Sequence, residues 1–392
     1  MRPAKRLDLI PPYLFADLEN KVAAARRRGV DVIDLGIGDP DLPTPPHVVE
    51  ALVREARDPS THRYPSYIGS ARFRQGVAAW FERRFGVSVD PDREVMALIG
   101  SKEGLAHLIW GYVDPGDVVL VPDPAYPVYK VHTLLAGGVP VTMPLRAAND
   151  FRVDLEAIPQ DAARKAKLMF LNYPNNPTGA TVDLDFFERA VAFARRHEIL
   201  IVHDAAYTEI TFDGYTAPSI LQVPGASQVA IEFHSLSKPF NMTGWRIGFA
   251  VGGAPFIATL GKVKTNTDSG QFTAIQHAAV EALLHTPGAF GEQLLETYRR
   301  RRDLMVAALR DAGLEVRPPR GSFYLWAPVP AGHTSESFAA HLLEATGVVV
   351  APGAAYGDHG EGFYRISLTI ADDRLAEAAR RIRSSLHFDR EV

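Results

Sequence analysis

Residues 168–204 read LMFLNYPNNPTGATVDLDFFERAVAFARRHEILIVHD and contain one complete strand–helix–strand pattern. The apolar runs at 168–171 and 200–203 predict buried strands, and the amphipathic stretch 184–196 predicts a helix between them. Strands that alternate with helices in this way favour a parallel sheet with helices on both faces. The polar cluster 172–179 follows the first strand directly. In open α/β sheets, ligands bind beyond the carboxyl ends of strands, so we expect this cluster near a ligand.

The same alternation extends over residues 45–285, which we predict to form a large α/β domain. Further strands are predicted over 95–99, 118–121, 229–234 and 247–251, and further helices over 72–85 and 103–112. Beyond 285, a charged helix (290–312), strand-like runs (348–350 and 363–368) and a terminal helix (372–386) indicate a smaller α+β domain over 286–392. Residues 1–44 are rich in turns, and we expect them to join the small domain.

Composition excludes several functional classes. The chain has 392 residues, with 46 acidic and 42 basic ones, so its net charge of −4 gives no basic surface for nucleic acid or anionic membrane. It has no cysteine, which excludes disulfides and thiolate chemistry, and its 13 histidines form no cluster with metal-ligand spacing. The basic start has no apolar stretch after it before Pro11, and no apolar run approaches about 18 residues. We therefore expect a soluble, cytoplasmic protein without a metal.

Four predicted strands end in residues that can carry chemistry, and one of them is 168–171, whose polar cluster could also be only a turn. Strand 95–99 runs into Gly100-Ser101-Lys102-Glu103-Gly104, where a glycine, a hydroxyl and free amides before a helix can hold phosphate. The simpler interpretation is that Ser101 only caps the helix. Strand 200–203 ends at Asp204, and strand 229–234 ends at Ser235-Leu236-Ser237-Lys238.

Lys238 has three possible interpretations. It is either a solvated lysine or an amine nucleophile that forms an imine with a carbonyl. Ser235-x-x-Lys238 also matches the pattern of serine acylases, but the accompanying Ser-Asp-Asn and Lys-Thr-Gly elements are missing. An imine-forming lysine, a carboxylate and phosphate donors together are what pyridoxal 5'-phosphate requires.

Three motifs then carry a family resemblance. Asn176-Pro177-Thr178-Gly179, Asp204-x-x-Tyr207 and Ser235-x-Ser237-Lys238-x7-Arg246 resemble the class I/II aminotransferases of the fold-type-I pyridoxal phosphate enzymes. The match in order and spacing extends from Gly38 to Arg365. It implies a large domain with a mostly parallel seven-stranded sheet and a smaller α+β domain.

The resemblance implies a role for each site residue. Lys238 would bind the cofactor and move the proton between the substrate Cα and the cofactor C4′, and Asp204 would pair with the ring nitrogen. Tyr207 and Asn176 resemble the donors to the ring 3-oxygen, and Tyr126 resembles the aromatic residue that stacks on the ring.

The remaining implied roles concern the phosphate and the substrate. The phosphate ligands would be Ser101, Lys102, Ser235, Ser237 and Arg246. Tyr64 matches a tyrosine that reaches the phosphate from a neighbouring subunit, which implies a homodimer with shared active sites. Arg365 would bind the substrate α-carboxylate, with help from the backbone N–H of Gly38.

The identity of the amino donor depends on weaker signals. The stretches 100–107 and 264–270 are similar to bacterial LL-diaminopimelate aminotransferases and to their alanine- and aspartate-converting relatives. Members that prefer dicarboxylates often use a second arginine, but none occurs between Arg246 and Arg299, and Lys262 and Lys264 offer only point charges. Asp268 and Tyr67 could instead accept from a distal ammonium group, as in LL-2,6-diaminopimelate of lysine biosynthesis. Asp268 could equally cap a helix over 271–284.

The resemblance implies 2-oxoglutarate as the amino acceptor. Alanine, aspartate or broad donor specificity stays open. A C–S lyase or a decarboxylase would use the same lysine and aspartate. A ligand-sensing regulator is disfavoured, because residues 1–44 are too few for a DNA-binding domain and the chain is near neutral.

Overall fold

A computed structural model describes residues 1–10 and 15–386. In this part of the chain the strands are β1 (Ile33–Asp34), β2 (Val95–Leu98), β3 (Val118–Asp123), β4 (Val139–Pro144), β5 (Ala166–Asn172), β6 (Leu200–Asp204), β7 (Ala230–Ser235), β8 (Gly248–Gly252), β9 (Tyr324–Pro328), β10 (Val348–Val349), β11 (Ala351–Pro352) and β12 (Phe363–Ser367). The α-helices are α1 (Phe15–Arg27), α2 (Pro46–Ala56), α3 (Ala71–Phe85), α4 (Ser101–Tyr112), α5 (Val128–Leu135), α6 (Gln160–Lys165), α7 (Leu184–His197), α8 (Ala254–Lys264), α9 (Thr273–His285), α10 (Gly288–Asp311), α11 (Ser335–Thr346) and α12 (Asp372–Ser385).

Seven strands form the central sheet in the order β2-β8-β7-β6-β5-β3-β4. All neighbouring pairs are parallel except those of β8, which runs antiparallel to both β2 and β7. The predicted fold class, a fold-type-I α/β architecture with a mostly parallel seven-stranded sheet, is therefore confirmed.

Alternate residues of the central strands enter two different apolar layers. On β5, Met169 and Leu171 pack in the layer that contains α3 and α7, whereas Leu168 and Phe170 pack in the layer that contains α4 and α8. This follows from the two-residue period of a strand, which sends successive side chains to opposite faces. Both faces are buried, so these strands appear in the sequence as continuous apolar runs and not as alternating patterns.

Helix α3 shows how local sequence sets the element bounds. The side chain of Ser70 accepts from the backbone N–H of Phe73 and so caps the first turn. The helix ends at Gly86, which adopts the left-handed conformation (φ 67°) that glycine tolerates best. Its phenylalanines Phe73 and Phe81 are fully buried, as the four-residue spacing predicts.

A second apolar core lies around a smaller antiparallel sheet of order β11-β12-β9, packed with α10, α11 and α12. Strand β1 pairs in parallel with β10 through Ile33 and Val348, so part of the segment 1–44 adds to this region. The division of the chain at 44/45 and at 285/286 stays a prediction.

The sequence prediction differs from the structure in the segment 1–44 and in several elements that it did not name. The predicted helices and strands agree with observed ones to within two residues at each end. However, the segment 1–44 contains helix α1 and not only turns, because apolar Val22 and Ala25 pack against the small region. The elements that were not predicted are strands β1, β4, β9 and β11 and helices α2, α5, α6, α8 and α11. Within residues 1–10 and 15–386, none of the helices combines the length and apolar character needed to cross a bilayer.

Candidate active site

A cavity of about 570 Å³ opens beyond the carboxyl ends of the parallel strands. Asn172, Asp204 and Ser235 end the neighbouring strands β5, β6 and β7, so their side chains meet at one edge of the sheet. The lining brings together most of the predicted site residues: Gly38, Ser101, Lys102, Tyr126, Asn176, Asp204, Tyr207, Ser235, Ser237, Lys238, Arg246 and Arg365.

In the carboxylate of Asp204, only one of the two oxygens accepts a hydrogen bond from the described residues. Its side chain is buried, with 5% of the residue exposed, and its Oδ2 accepts from the Tyr129 hydroxyl at 2.8 Å. Its Oδ1 is buried without a hydrogen-bond partner in the described residues. Burial raises the pKa of Asp204, and the hydrogen bond from Tyr129 opposes that rise. A buried acceptor left open at a cavity fits the protonated ring nitrogen of pyridoxal phosphate.

Lys238 lies two residues after Leu236, in the turn that follows β7. Its Nζ donates to the carbonyl oxygen of Gly38 at 3.1 Å and lies 5.6 Å above the ring of Phe323. Burial lowers the pKa of Lys238, and the charges of Arg365 and Arg246 lower it further. A lowered pKa keeps more of the amine neutral, which suits a nucleophile and a base.

The phosphate end of the site is built around the start of α4. Gly100 is the N-cap of that helix, so the alternative in which Ser101 caps it is wrong. Gly100 has φ 78°, and a Cβ there would lie 2.4 Å from Nη2 of Arg246. The guanidinium of Arg246 is held by donation from Nη1 to the carbonyl of Thr243 at 2.9 Å. Free amides at a helix N-terminus beside an arginine fit a phosphate group.

Arg365 forms a buried anchor on β12. It is 4% exposed, and its Nη1 donates to Oδ1 of Asn176 at 2.8 Å while its Nη2 donates to the carbonyl of Gly36 at 2.6 Å. Its Nε is buried without a hydrogen-bond partner in the described residues, so an N–H remains for a carboxylate. Because Oδ1 of Asn176 is used by Arg365, the amide NH2 of Asn176 is left to donate into the cavity.

Three aromatic residues of the site were missed in the sequence. Tyr324 lines the cavity, its hydroxyl lies 3.2 Å from that of Tyr207, and its ring lies 4.1 Å below the guanidinium of Arg365. The ring of Tyr356 lies 4.9 Å from the same guanidinium. Tyr129 bonds Asp204 from outside the cavity lining. The only available signal was the position of Tyr129 one helical turn after Tyr126.

Three predicted site residues lie outside the cavity lining of the described chain: Tyr64, Tyr67 and Asp268. Tyr64 is 87% exposed. Asp268 accepts from Nζ of Lys264 at 2.8 Å and from the backbone N–H of Gly270 at 2.8 Å. Helix α9 begins at Thr273 with Phe272 as its N-cap, so the alternative role of Asp268 as a helix cap is wrong.

Lys264 is not a free cation for a substrate carboxylate, which corrects that suggestion. It is 1% exposed, and its Nζ lies 3.2 Å from Oε1 of Glu103 as well as beside Asp268. Glu103, His107 and Asp268 place potential metal-ligand atoms within 4.8 Å of one another. The ammonium of Lys264 already pairs with both acids, so the cluster is a partly buried ion-pair network in which one of the two negative charges is offset.

The fold and the site define a pyridoxal-phosphate aminotransferase of fold type I, and the chain belongs to the family described as aminotransferase class I and II, whose model matches residues 30–382. The resemblance seen in the motifs is thus confirmed, and the cofactor is pyridoxal 5'-phosphate.

Two relatives carry a more particular name. The chain is 56% identical over 386 residues to the LL-diaminopimelate aminotransferase of Moorella thermoacetica, covering 98% of this chain and 99% of that protein. It is 57% identical over 383 residues to the LL-diaminopimelate aminotransferase of Desulforudis audaxviator, covering 98% and 97%. Among solved structures, a double mutant of Thermus thermophilus aspartate aminotransferase superposes with a TM-score of 0.92 at 32% identity, covering 98% of this chain and 100% of that one.

Proposed function

We propose that the protein transfers an amino group from LL-2,6-diaminopimelate to 2-oxoglutarate by ping-pong transamination, a reaction of lysine biosynthesis. The observation that carries the proposal is the identity above 50% along nearly the whole chain to proteins named LL-diaminopimelate aminotransferase. The cavity fits this reaction class, because it joins a partly buried lysine, a buried aspartate and a carboxylate anchor.

The residues divide the work of the reaction. Pyridoxal phosphate, when bound, supplies an aldehyde and an electron-withdrawing ring. Arg365 binds the α-carboxylate of the donor and thereby orients the Cα–H bond. Lys238, whose pKa burial lowers, would take the proton from Cα and deliver it to the cofactor C4′. Asp204 keeps a proton at the ring nitrogen, and Tyr207 donates to the ring oxygen.

The distal end of the donor has charged candidates on helix α1. Glu19 and Arg26 line the same cavity as Lys238, with Val22 and Ala23 between them on one helix face. Diaminopimelate carries a second ammonium and a second carboxylate beyond a short methylene chain. The acid, the base and the two apolar residues of helix α1 match the distal ammonium, the distal carboxylate and the methylene chain. The side chain of alanine carries no charged group that could bind the acid or the base.

We also propose that the protein is a homodimer. Tyr64 is exposed and lies outside the cavity of its own chain, so it could reach a phosphate only in a neighbouring copy. Tyr67 is exposed and outside the cavity as well, and Asp268 is partly exposed and outside it, so both would contact the distal ammonium only in a neighbouring copy. Replacing Asp268 by alanine would contradict that role if the preference for diaminopimelate over alanine did not change.

The test compares donors and helix α1 variants. We expect kcat/KM for LL-diaminopimelate to exceed that for alanine and aspartate, and Arg26→Gln to lower the diaminopimelate value about tenfold while the alanine value stays within twofold. Arg27→Gln is the matched control, because Arg27 is exposed on the same helix but does not line the cavity.

Two results would contradict the proposed donor. A tenfold preference of the unmodified protein for alanine or aspartate would support those alternatives. Formation of pyruvate and ammonia without a keto-acid acceptor would instead identify a lyase. Equal effects of Arg26→Gln on both donors would remove only the role given to helix α1.

A further inference from the structure

We infer that Tyr129 is a positioning residue for the reaction: its hydroxyl fixes Asp204 so that one carboxylate oxygen stays open toward the cofactor. The inference depends on the aminotransferase chemistry of the cavity but not on which amino acid is the donor. Tyr129 is absent from the lining of the cavity, so it acts through Asp204 and not by contact with cofactor or substrate.

Packing holds the Tyr129 ring in one place. The residue is 0% exposed, and its ring stacks on that of Phe170 with centroids 4.7 Å apart and planes 16° apart. The ring of Tyr126, which lines the cavity, meets it edge to face at 6.0 Å. The backbone carbonyl of Tyr129 accepts from the hydroxyl of Thr133 at 2.7 Å. A tyrosine fixed on all these sides places its hydroxyl with little freedom.

Because of this hydroxyl, the two carboxylate oxygens of Asp204 differ in their hydrogen bonding. Oδ2 accepts from Tyr129 at 2.8 Å, and Oδ1 has no hydrogen-bond partner in the described residues. The main chain of Asp204 is fixed as well, because its carbonyl accepts from Nδ2 of Asn172 at 2.7 Å. Without the Tyr129 hydroxyl, the carboxylate could rotate about χ2 and turn either oxygen away from the cavity.

The hydroxyl also favours the ionised form of Asp204. The other titratable groups around this carboxyl are His203, His234 and Tyr207. The histidines act on it only through their charge, because both donate instead to the carboxylate of Glu232. Burial raises the pKa of Asp204, and the hydrogen bond from Tyr129 is the largest effect that opposes the rise, ahead of the charges of His203 and His234 and the backbone N–H of Ala206. Loss of this bond leaves a buried acceptor unpaired, which favours protonation.

The test is Tyr129→Phe, which keeps the ring and its stacking. We expect kcat to fall about 10- to 100-fold with alanine or LL-diaminopimelate alike, while KM changes less than threefold. We also expect the Kd for pyridoxal phosphate, measured by equilibrium dialysis, to rise at least fivefold. The matched control is Tyr215→Phe, which removes a donated bond of 2.7 Å to the carbonyl of Val182, away from the cavity.

A double-mutant cycle separates positioning from a loss of stability. In the Asp204→Asn background, removal of the Tyr129 hydroxyl is expected to change kcat and the cofactor Kd by less than twofold, because the ionised partner is already absent. Equal losses in both backgrounds would overturn the inference. It would also be overturned if Tyr129→Phe matched the unmodified protein in kcat and in cofactor Kd. A failure of LL-diaminopimelate as donor would leave this test intact, because the cofactor Kd does not depend on the donor and kcat is also measured with alanine.

Discussion

Replacing Arg365 by lysine tests the assignment of the α-carboxylate anchor. The guanidinium is held in place by Asn176 at 2.8 Å and by Gly36 at 2.6 Å, which use two of its five N–H groups and leave three for a substrate carboxylate. Lysine keeps the positive charge but has a single nitrogen, which cannot hold both protein acceptors and a substrate carboxylate in the same geometry. The variant therefore isolates the loss of geometry from the loss of charge.

The size of the effect follows from one lost hydrogen bond to the substrate carboxylate. A hydrogen bond to a charged group contributes about 1.5–3 kcal/mol. At about 1.4 kcal/mol for each factor of ten, kcat/KM is expected to fall about 10- to 150-fold. Because LL-diaminopimelate, alanine and aspartate all carry an α-carboxylate, the loss must be similar for all three donors.

The assay is the single-turnover change in visible absorbance of the cofactor-loaded protein mixed with each donor. Arg374→Lys is the control, because Arg374 makes an exposed ion pair with Asp31 outside the cavity, and such pairs contribute little. The reasoning is refuted if Arg365→Lys stays within twofold of the unmodified protein. It is also refuted if the loss is confined to one donor.

Three further predictions concern the phosphate end, the core and the lysine. Gly100→Ala adds a Cβ 2.4 Å from Nη2 of Arg246, so the Kd for pyridoxal phosphate should rise at least tenfold in equilibrium dialysis, and an unchanged Kd would contradict this geometry. Glu232→Gln removes the carboxylate that pairs with His203 in the buried core, so the free energy of unfolding in urea should fall by about 3–5 kcal/mol. A fall of less than about 1 kcal/mol would contradict this role of the ion pair. Burial lowers the pKa of Lys238 below its usual 10.5 in the folded cofactor-free protein. The unfolded chain therefore binds more protons than the folded one just below pH 10.5, and the thermal stability should increase as the pH rises toward that value. Lys238→Met should lack this gain, and equal pH slopes for the two proteins would refute it.

The central strands were predictable because a strand that is buried on both faces consists largely of consecutive apolar residues. Strand β5 contains the uninterrupted apolar run 168–171, and β6 contains the run 200–202. Strand β4 was missed because it lies at the edge of the sheet, is mostly not buried, and contains Pro140 and Pro144. The antiparallel direction of β8 depends on how the chain returns to the sheet, which no local pattern specifies.

The site divides in the same way. Asp204 and Lys238 were predictable because polar residues directly after buried strands are unusual and meet at one sheet edge. Tyr129 and Tyr324 were missed because a tyrosine in an apolar element looks like an ordinary core residue until its hydroxyl partner is known. The roles given to Tyr64 involve a second copy of the chain and therefore stay predictions.

The central claim is that this cavity carries out transamination of LL-diaminopimelate with Lys238 as the cofactor-binding base. The most direct measurement is the visible spectrum of the protein reconstituted with pyridoxal phosphate, before and after LL-diaminopimelate is added without any keto acid. The account predicts a yellow absorbance band that diaminopimelate bleaches and 2-oxoglutarate then restores, and that Lys238→Ala fails to cycle. A band that ignores diaminopimelate but bleaches with alanine or aspartate, or no band at all, would contradict it.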